Sequence, residues 1–334
     1  MANSSFSYQI SKYFSEYLPL HIGASKNTIE AYRDAFVQLL EYKKKCSNIR
    51  PDHFDFDSIT REDVENFLID IEQKKGVCIA TRNQRLAAIH SFYAFLQRKE
   101  PACFDNCSKI LAIPFKKAPV TVMTYMSVEE IRLLLSLPYS SSKMGLRDLT
   151  ILSFLYETGA RVQELIDLKE SQIRFNNATV DLHGKGNKDR QIPIGNSMLT
   201  ILKKYIEVFH INPTDIVFRN RQEKPLTRAG VQYIVSKYVK LGQSREPTFF
   251  LEKRITNHTF RHSKAMHMLE AGVNLIYIRD FLGHSSVTTT EIYAKINPNI
   301  KRKFITENAS LFDIGKRYGK QEKEDLIGWL KKGF

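Results

Sequence analysis

Between residues 113 and 126 the helical periodicity of this chain breaks, and that break governs what the rest can fold into. The segment reads Ile-Pro-Phe-Lys-Lys-Ala-Pro-Val-Thr-Val-Met-Thr-Tyr-Met, with prolines at 114 and 119. Proline removes a backbone donor and restricts the residue before it, so a helix does not run through this stretch. Ser127-Val-Glu-Glu130 follows as a capping box, which marks a fresh helix start. We place a domain boundary near residue 118, dividing the 334 residues into 1–118 and 119–334, both ordinary domain sizes.

The first part reads as helices. Thr28 to Lys45 places Ile29, Tyr32, Phe36, Leu39 and Leu40 at helical spacing, with Asn27 as the expected N-cap. Thr60-Arg-Glu-Asp63 opens a helix carrying Val64, Phe67, Leu68 and Ile71. Thr81 to Lys99 is another, with Leu86, Ile89, Phe92, Tyr93 and Leu96 on its apolar face. Its polar side shows Arg82, Arg85, Arg98 and Lys99 with no acid among them. Such a face is either merely solvated or turned to phosphates, and the missing carboxylates put the two readings on a par.

The second part is mixed. Leu146 to Tyr156 is apolar and helical, ending at Thr158-Gly159. Ala178-Thr-Val-Asp-Leu182 alternates as a strand, and Arg190-Gln-Ile-Pro-Ile194 is its expected hairpin partner across Gly184 and Gly186. Helical patterns return at 198–209, 228–241, 259–271, 275–282 and 287–294. The expected fold class is mainly α, of the α+β kind: a helical N-terminal domain plus a mixed helical domain with a small antiparallel sheet.

Composition narrows the function. The net charge is +14. Residues 1–118 hold 17 Lys+Arg against 14 Asp+Glu, a net of +3, so +11 falls to residues 119–334. An excess of this kind favours a polyanionic partner, and the second part of the chain carries most of it. The four cysteines (Cys46, Cys78, Cys103, Cys107) lack metal-type spacing and read as reduced thiols of a cytosolic protein. No apolar run is long enough to span a membrane, and the first 20 residues lack the basic and apolar regions of an export signal. The expected location is the cytoplasm, on a bacterial nucleoid.

Four short segments of the second part carry the chemistry. They are Gly159-Ala-Arg161-Val-Gln-Glu164-Leu165, Gly184-Lys185-Gly-Asn-Lys188-Asp-Arg190, His258-Thr-Phe-Arg261-His262, and Leu282-Gly-His284 with Tyr293 nine residues on. Phosphodiester exchange needs these residue types. Guanidinium forks bind non-bridging oxygens bidentately and stay charged at any working pH. A tyrosine hydroxyl can attack phosphorus and hold it covalently. Histidine titrates near neutrality, and a lysine can protonate a departing oxygen. No Asp/Glu cluster suited to Mg²⁺ is present, so no metal and no cofactor is expected. Taken singly, each residue has an ordinary structural role open to it: Arg161 can pair with Glu164, Gly-Lys-Gly is a common hairpin tip, and Tyr293 is one of 15 tyrosines.

In this order the segments resemble the tyrosine recombinases, the family of lambda-type integrases, Cre and the bacterial Xer enzymes. The resemblance spans roughly residues 127–297, no element departs from the family signature, and the helical first part is similar in kind to a core-binding domain. It implies that Tyr293 is the nucleophile, giving a 3′-phosphotyrosine and a free 5′ hydroxyl. It implies that Arg161 and Arg261 bind the scissile phosphate and that Lys185 is the general acid, with Lys188 its rival. His258 is implied as acid–base partner of the tyrosine, His284 as a phosphate hydrogen-bond donor, and Glu164 as the residue that orients Arg161. Arg82, Arg85, Lys188 and Arg190 are expected to contact double-stranded DNA. A homo-tetramer acting on two duplexes is also implied.

The start of the chain offers no extra arm-binding domain, which favours an Xer-like or mobile-element recombinase over a lambda-like one. After Tyr293 come 41 residues, in which Glu322 to Phe334 is amphipathic and is expected to dock on a neighbouring subunit or, equally, on its own domain. Two rivals are a type IB topoisomerase and a non-catalytic DNA-binding regulator; the second predicts loss of Tyr293 or of an arginine, and both are retained.

Overall fold

The computed structural model describes residues 5–118, 123–184, 188–251 and 253–283. The chain forms two compact units, residues 1–121 and 122–334.

In the first unit, α1 (Phe6–Lys12) is capped by Ser5, whose hydroxyl accepts from the Tyr8 amide. It runs into a π-helical stretch, Tyr13–His21, which contains Pro19. A proline has no N–H to give to the ladder, and the turn around it widens. Next come α2 (Lys26–Ser47), α3 (Arg61–Gln73), α4 (Ile79–Lys99) and α5 (Phe104–Leu111). The helix start expected at Thr60 is formed, and Thr60 and Asp63 close it with a reciprocal capping box. The cap of α2 is Ser25 instead of Asn27, because the Ser25 hydroxyl reaches the Thr28 amide at 3.3 Å. Aromatic side chains fill the centre: Phe92 meets Tyr13 edge-on at 5.2 Å and Phe36 at 5.1 Å. The Tyr13 hydroxyl, taken into that core, is satisfied by Ser91 Oγ at 2.7 Å.

Asn83 of α4 holds the chain that follows α5. Its Nδ2 donates to the Lys116 carbonyl at 2.7 Å, and its Oδ1 accepts from the Lys116 amide at 3.1 Å. The proline-broken segment therefore leaves the first unit from a fixed point up to residue 116.

In the second unit, α6 (Val128–Ser136) begins with the predicted capping box, and Glu130 also accepts from Lys253 Nζ and the Phe250 amide. Then follow α7 (Lys143–Thr158), α8 (Val162–Ile166), a three-stranded antiparallel sheet of β1 (Ile173–Arg174), β2 (Thr179–Gly184) and β3 (Lys188–Pro193), then α9 (Asn196–Phe209) and α10 (Arg228–Arg245). The last two are α11 (Asn257–Glu270) and α12 (Leu275–Leu282). α7 is buried along nearly its whole length, with Leu146, Ile151, Leu152, Phe154 and Leu155 inside, and it packs against α9 and α11. Buried on nearly all sides, it is the central helix of the unit.

One ionic cluster lies inside this core. Asp148 on α7 is 2% exposed and takes Arg147 Nη2 at 2.7 Å, the Tyr238 hydroxyl at 3.0 Å and Lys237 Nζ at 3.2 Å. The mainly α, α+β class expected from sequence is the one observed. The expected helix at 287–294 and the amphipathic tail lie outside the described residues. Among the described residues no helix is long and apolar enough to cross a membrane.

Candidate active site

α7 ends on Gly159, whose φ of +57° is the left-handed conformation that glycine adopts without strain. The chain turns there and places Arg161 as the N-cap of α8, with Glu164 three residues on. Glu164 reaches back as a capping residue does, its Oε2 accepting from the Arg161 amide at 2.7 Å. Its Oε1 accepts from Arg161 Nη1 at 2.8 Å. The sequence spacing of arginine and glutamate is thus both a cap and an ion pair.

The first turn of α11 brings His258 and Arg261 to the same place. Arg261 is 3% exposed, and it donates from Nη1 to the Gly159 carbonyl at 2.8 Å and from Nη2 to the Leu282 carbonyl at 2.5 Å. His258 is exposed by area, yet the protein around its ring desolvates it. That desolvation, with Arg261 and Arg161 close by, lowers its pKa below the ordinary imidazole value. The neutral ring that a proton acceptor needs therefore persists to lower pH. His262, one turn on, lies in stacking geometry with the His258 ring at 6.2 Å, and burial pushes its pKa down to about 4.

The C-terminus of α12 completes the cluster. A helix end leaves its last carbonyls without helical partners and carries negative partial charge. Three successive carbonyls here are each taken by a different arginine. Phe281 accepts from Arg190 Nε at 3.0 Å, Leu282 from Arg261, and Gly283 from Arg161 Nη2 at 3.2 Å. The two arginines singled out from sequence as phosphate ligands are thereby fastened to neighbouring residues of one helix end. Gly283 closes α12 with a φ of +64°. A Cβ on Gly283 would lie 3.1 Å from Arg190 Cδ, so the absent side chain makes room for that arginine.

Arg190 is the residue whose place differs most from expectation. Anticipated as a DNA contact, its side chain is only 8% exposed, with its guanidinium forked on Glu164, Nη1 to Oε1 at 2.9 Å and Nη2 to Oε2 at 2.7 Å. The cause is register. Arg190 faces Leu182 across the hairpin, in phase with the buried Ile192. Burial opposes ionisation of Glu164, but the hydrogen bond and charge of Arg190, joined by Arg161, hold its carboxyl below the usual range.

The other expected residues fall as follows. The backbone of Lys188 pairs with Gly184 in the hairpin. Arg82 and Arg85 lie half-buried on α4 in the first unit, where Arg82 Nη1 also donates to Asn83 Oδ1 at 3.1 Å. Lys185, His284 and Tyr293 lie outside the described residues.

The model of the phage integrase family matches residues 124–299, and that of its N-terminal SAM-like domain matches residues 12–100. The chain belongs to the phage integrase family. Members of it are tyrosine recombinases, and this chain is accordingly an enzyme that cleaves and rejoins DNA. It is 31% identical to a putative integrase/recombinase of Sinorhizobium fredii, over 96% of each chain. It is 32% identical to tyrosine recombinase XerD of Staphylococcus haemolyticus, over 85% of this chain and 92% of that one. Among solved structures, the Tn1549 transposon integrase in complex with transposon right end DNA covers 91% of this chain and 99% of its own, with a TM-score of 0.70 at 17% identity. The recombinase XerH bound to its difH substrate aligns over 86% of this chain and 80% of its own, with a TM-score of 0.66 at 21% identity. Both share the fold.

Proposed function

We propose that this integrase-family chain is a site-specific recombinase that cuts double-stranded DNA through Tyr293 and serves a mobile element or an Xer-type role. In the first step the Tyr293 oxygen forms a bond to phosphorus as the bond to the 5′ oxygen breaks. His258 takes the tyrosine proton and Lys185 supplies one to the 5′ oxygen. Arg161 and Arg261 hold the non-bridging oxygens, and His284 adds a hydrogen bond to them. In the second step a 5′ hydroxyl of the partner strand attacks the 3′-phosphotyrosine and returns the proton count to its start. Each step exchanges one phosphate ester for another, so no external energy source enters the balance.

The observation that carries this reading is the joint anchoring of Arg161 and Arg261. One helix end holds both guanidiniums, and His258 stands one turn before Arg261. A phosphoryl transfer gains most of its rate from charges placed in advance of the reaction. Lys188, Arg82 and Arg85 supply further contacts to the DNA backbone. Strand exchange joins two duplexes, which calls for four such chains acting together in the cytoplasm, on the nucleoid.

Covalent trapping tests the proposal. Nicked DNA drawn from the flanks of the gene is incubated with wild type and with Tyr293→Phe, and the products are denatured. An adduct formed by wild type alone is expected, and its DNA names the site. Binding without any adduct overturns the assignment of Tyr293.

A further inference from the structure

Arg190 lies in neither of the two classes of arginine expected here. Every nitrogen of its guanidinium is committed to an acceptor within the protein: two to Glu164 and one to the Phe281 carbonyl. Glu164, 3% exposed in its side chain, accepts four hydrogen bonds, two from Arg190 and two from Arg161. Four is about the capacity of a carboxylate. The two arginines divide that capacity unequally. Arg190 holds the fork, whereas the Arg161 guanidinium has one nitrogen on Glu164 and another on the Gly283 carbonyl, with its side chain 30% exposed.

We propose that Arg190 is a positioning residue for strand cleavage: by occupying the forked face of Glu164, it stops Arg161 from closing on that carboxylate and keeps the Arg161 guanidinium turned to the scissile phosphate. This rests on the reading of Arg161 as a phosphate ligand.

The physical argument compares the two pairings open to Glu164. A carboxylate this deeply buried cannot stand ionised without a counter-charge, and removing one partner of such a pair is strongly unfavourable. With Arg190 gone, Arg161 is the guanidinium already in contact. A fork-to-fork pair is its best geometry, and reaching it swings Nη2 off the Gly283 carbonyl. The same charge would still be present, but aimed at the wrong oxygens. A lysine at 190 restores charge without the planar fork, so it compensates only in part.

Three features of the fold serve this arrangement. Hairpin register turns Arg190 inward opposite Leu182. The capping geometry of α8 fixes Glu164 beneath Arg161. Gly283 has no Cβ to displace the Arg190 stem.

The test uses the full chain and nicked DNA carrying its recombination site, with the scissile phosphate either normal or replaced by a neutral methylphosphonate. Adduct formation is timed for wild type, Arg161→Ala, Arg190→Ala and Arg190→Lys. On normal DNA, Arg190→Ala should cleave about 10²-fold slower, the usual cost of losing a preorganised donor, with DNA affinity within about threefold. Arg190→Lys, which keeps charge and bulk in the core, should fall between the two. On the methylphosphonate, where there is less charge to neutralise, the deficits of Arg161→Ala and of both Arg190 variants should shrink together. If only the Arg161→Ala deficit shrinks, Arg190 is a strut of the fold and the proposal is overturned. Arg190→Lys cleaving normal DNA at the wild-type rate overturns it as well, and does so even if Arg190→Ala fails to fold. If the Arg161→Ala deficit does not shrink, the phosphate-ligand reading of Arg161 has failed instead.

Discussion

Arg261 donates a 2.8 Å hydrogen bond to the Gly159 carbonyl, across 102 residues of sequence. The bond fastens the first turn of α11 to the end of α7, and the left-handed backbone of Gly159 is what brings that carbonyl into reach. A Cβ at Gly159 would also come within 3.1 Å of Leu282 Cδ2. Gly159→Ala should therefore cost about 1–2 kcal/mol from the backbone alone, and more from pushing α12 away. The expected readout is a lower melting temperature together with slower cleavage, measured by calorimetry and adduct formation. A variant that melts with wild type removes the claimed constraint.

Asp148 tests the core in isolation from the site. Its removal would leave Arg147, 9% exposed in its side chain, without its buried partner. Breaking a buried ion pair typically destabilises by about 3–5 kcal/mol, so Asp148→Ala should shift the urea midpoint strongly downward. Whatever fraction stays folded should cleave at the wild-type rate.

Acid should weaken the second unit through its histidines. His258, His262 and His267 on α11 are all held below the ordinary imidazole range, in each case chiefly by desolvation. Unfolded imidazoles take up protons near pH 6.5, whereas folded His262 declines one until about pH 4. In that window the unfolded chain binds more protons, so stability is full above pH 6.5 and is lost as pH falls towards 4. Melting curves at pH 7, 6, 5 and 4.5 should show a progressive decline, shallower for His262→Asn. A flat profile would contradict the assignment.

Salt tests the first unit. If Arg82 and Arg85 neutralise phosphates, replacing either with alanine should reduce the slope of log affinity against log salt by about 0.9, without changing sequence preference. An unchanged slope for both would confine them to structural work on α4.

Much of this fold was legible from periodicity and caps. The helix start read at Thr60 and the capping box read at Ser127 are both formed in the structure. α1 and its π-helical continuation were not read, because Ser, Tyr and Glu interrupt the apolar pattern and Pro19 argues against a helix. β1 has two residues, too few to carry a period. In the site, residue types and order pointed to Arg161, His258 and Arg261, which the structure brings together. Arg190 is the instructive case. It was expected to contact DNA, whereas in the strand it alternates in phase with the buried Ile192 and Ile194. Only the tertiary position of Glu164, 26 residues earlier, reveals what a buried arginine does there.

The arginine-capped end of α12 also sets limits on how this chain can change over evolutionary time. Phe281, Leu282 and Gly283 serve three different partners through consecutive carbonyls. Each residue advances a helix by about 100°, so one insertion or deletion within Leu275–Leu282 would rotate all three carbonyls off their arginines together. Point substitutions on the outer side of this helix, where Ile276 and Tyr277 are exposed, leave that phase intact. The helix is thus free in composition on one side and fixed in length.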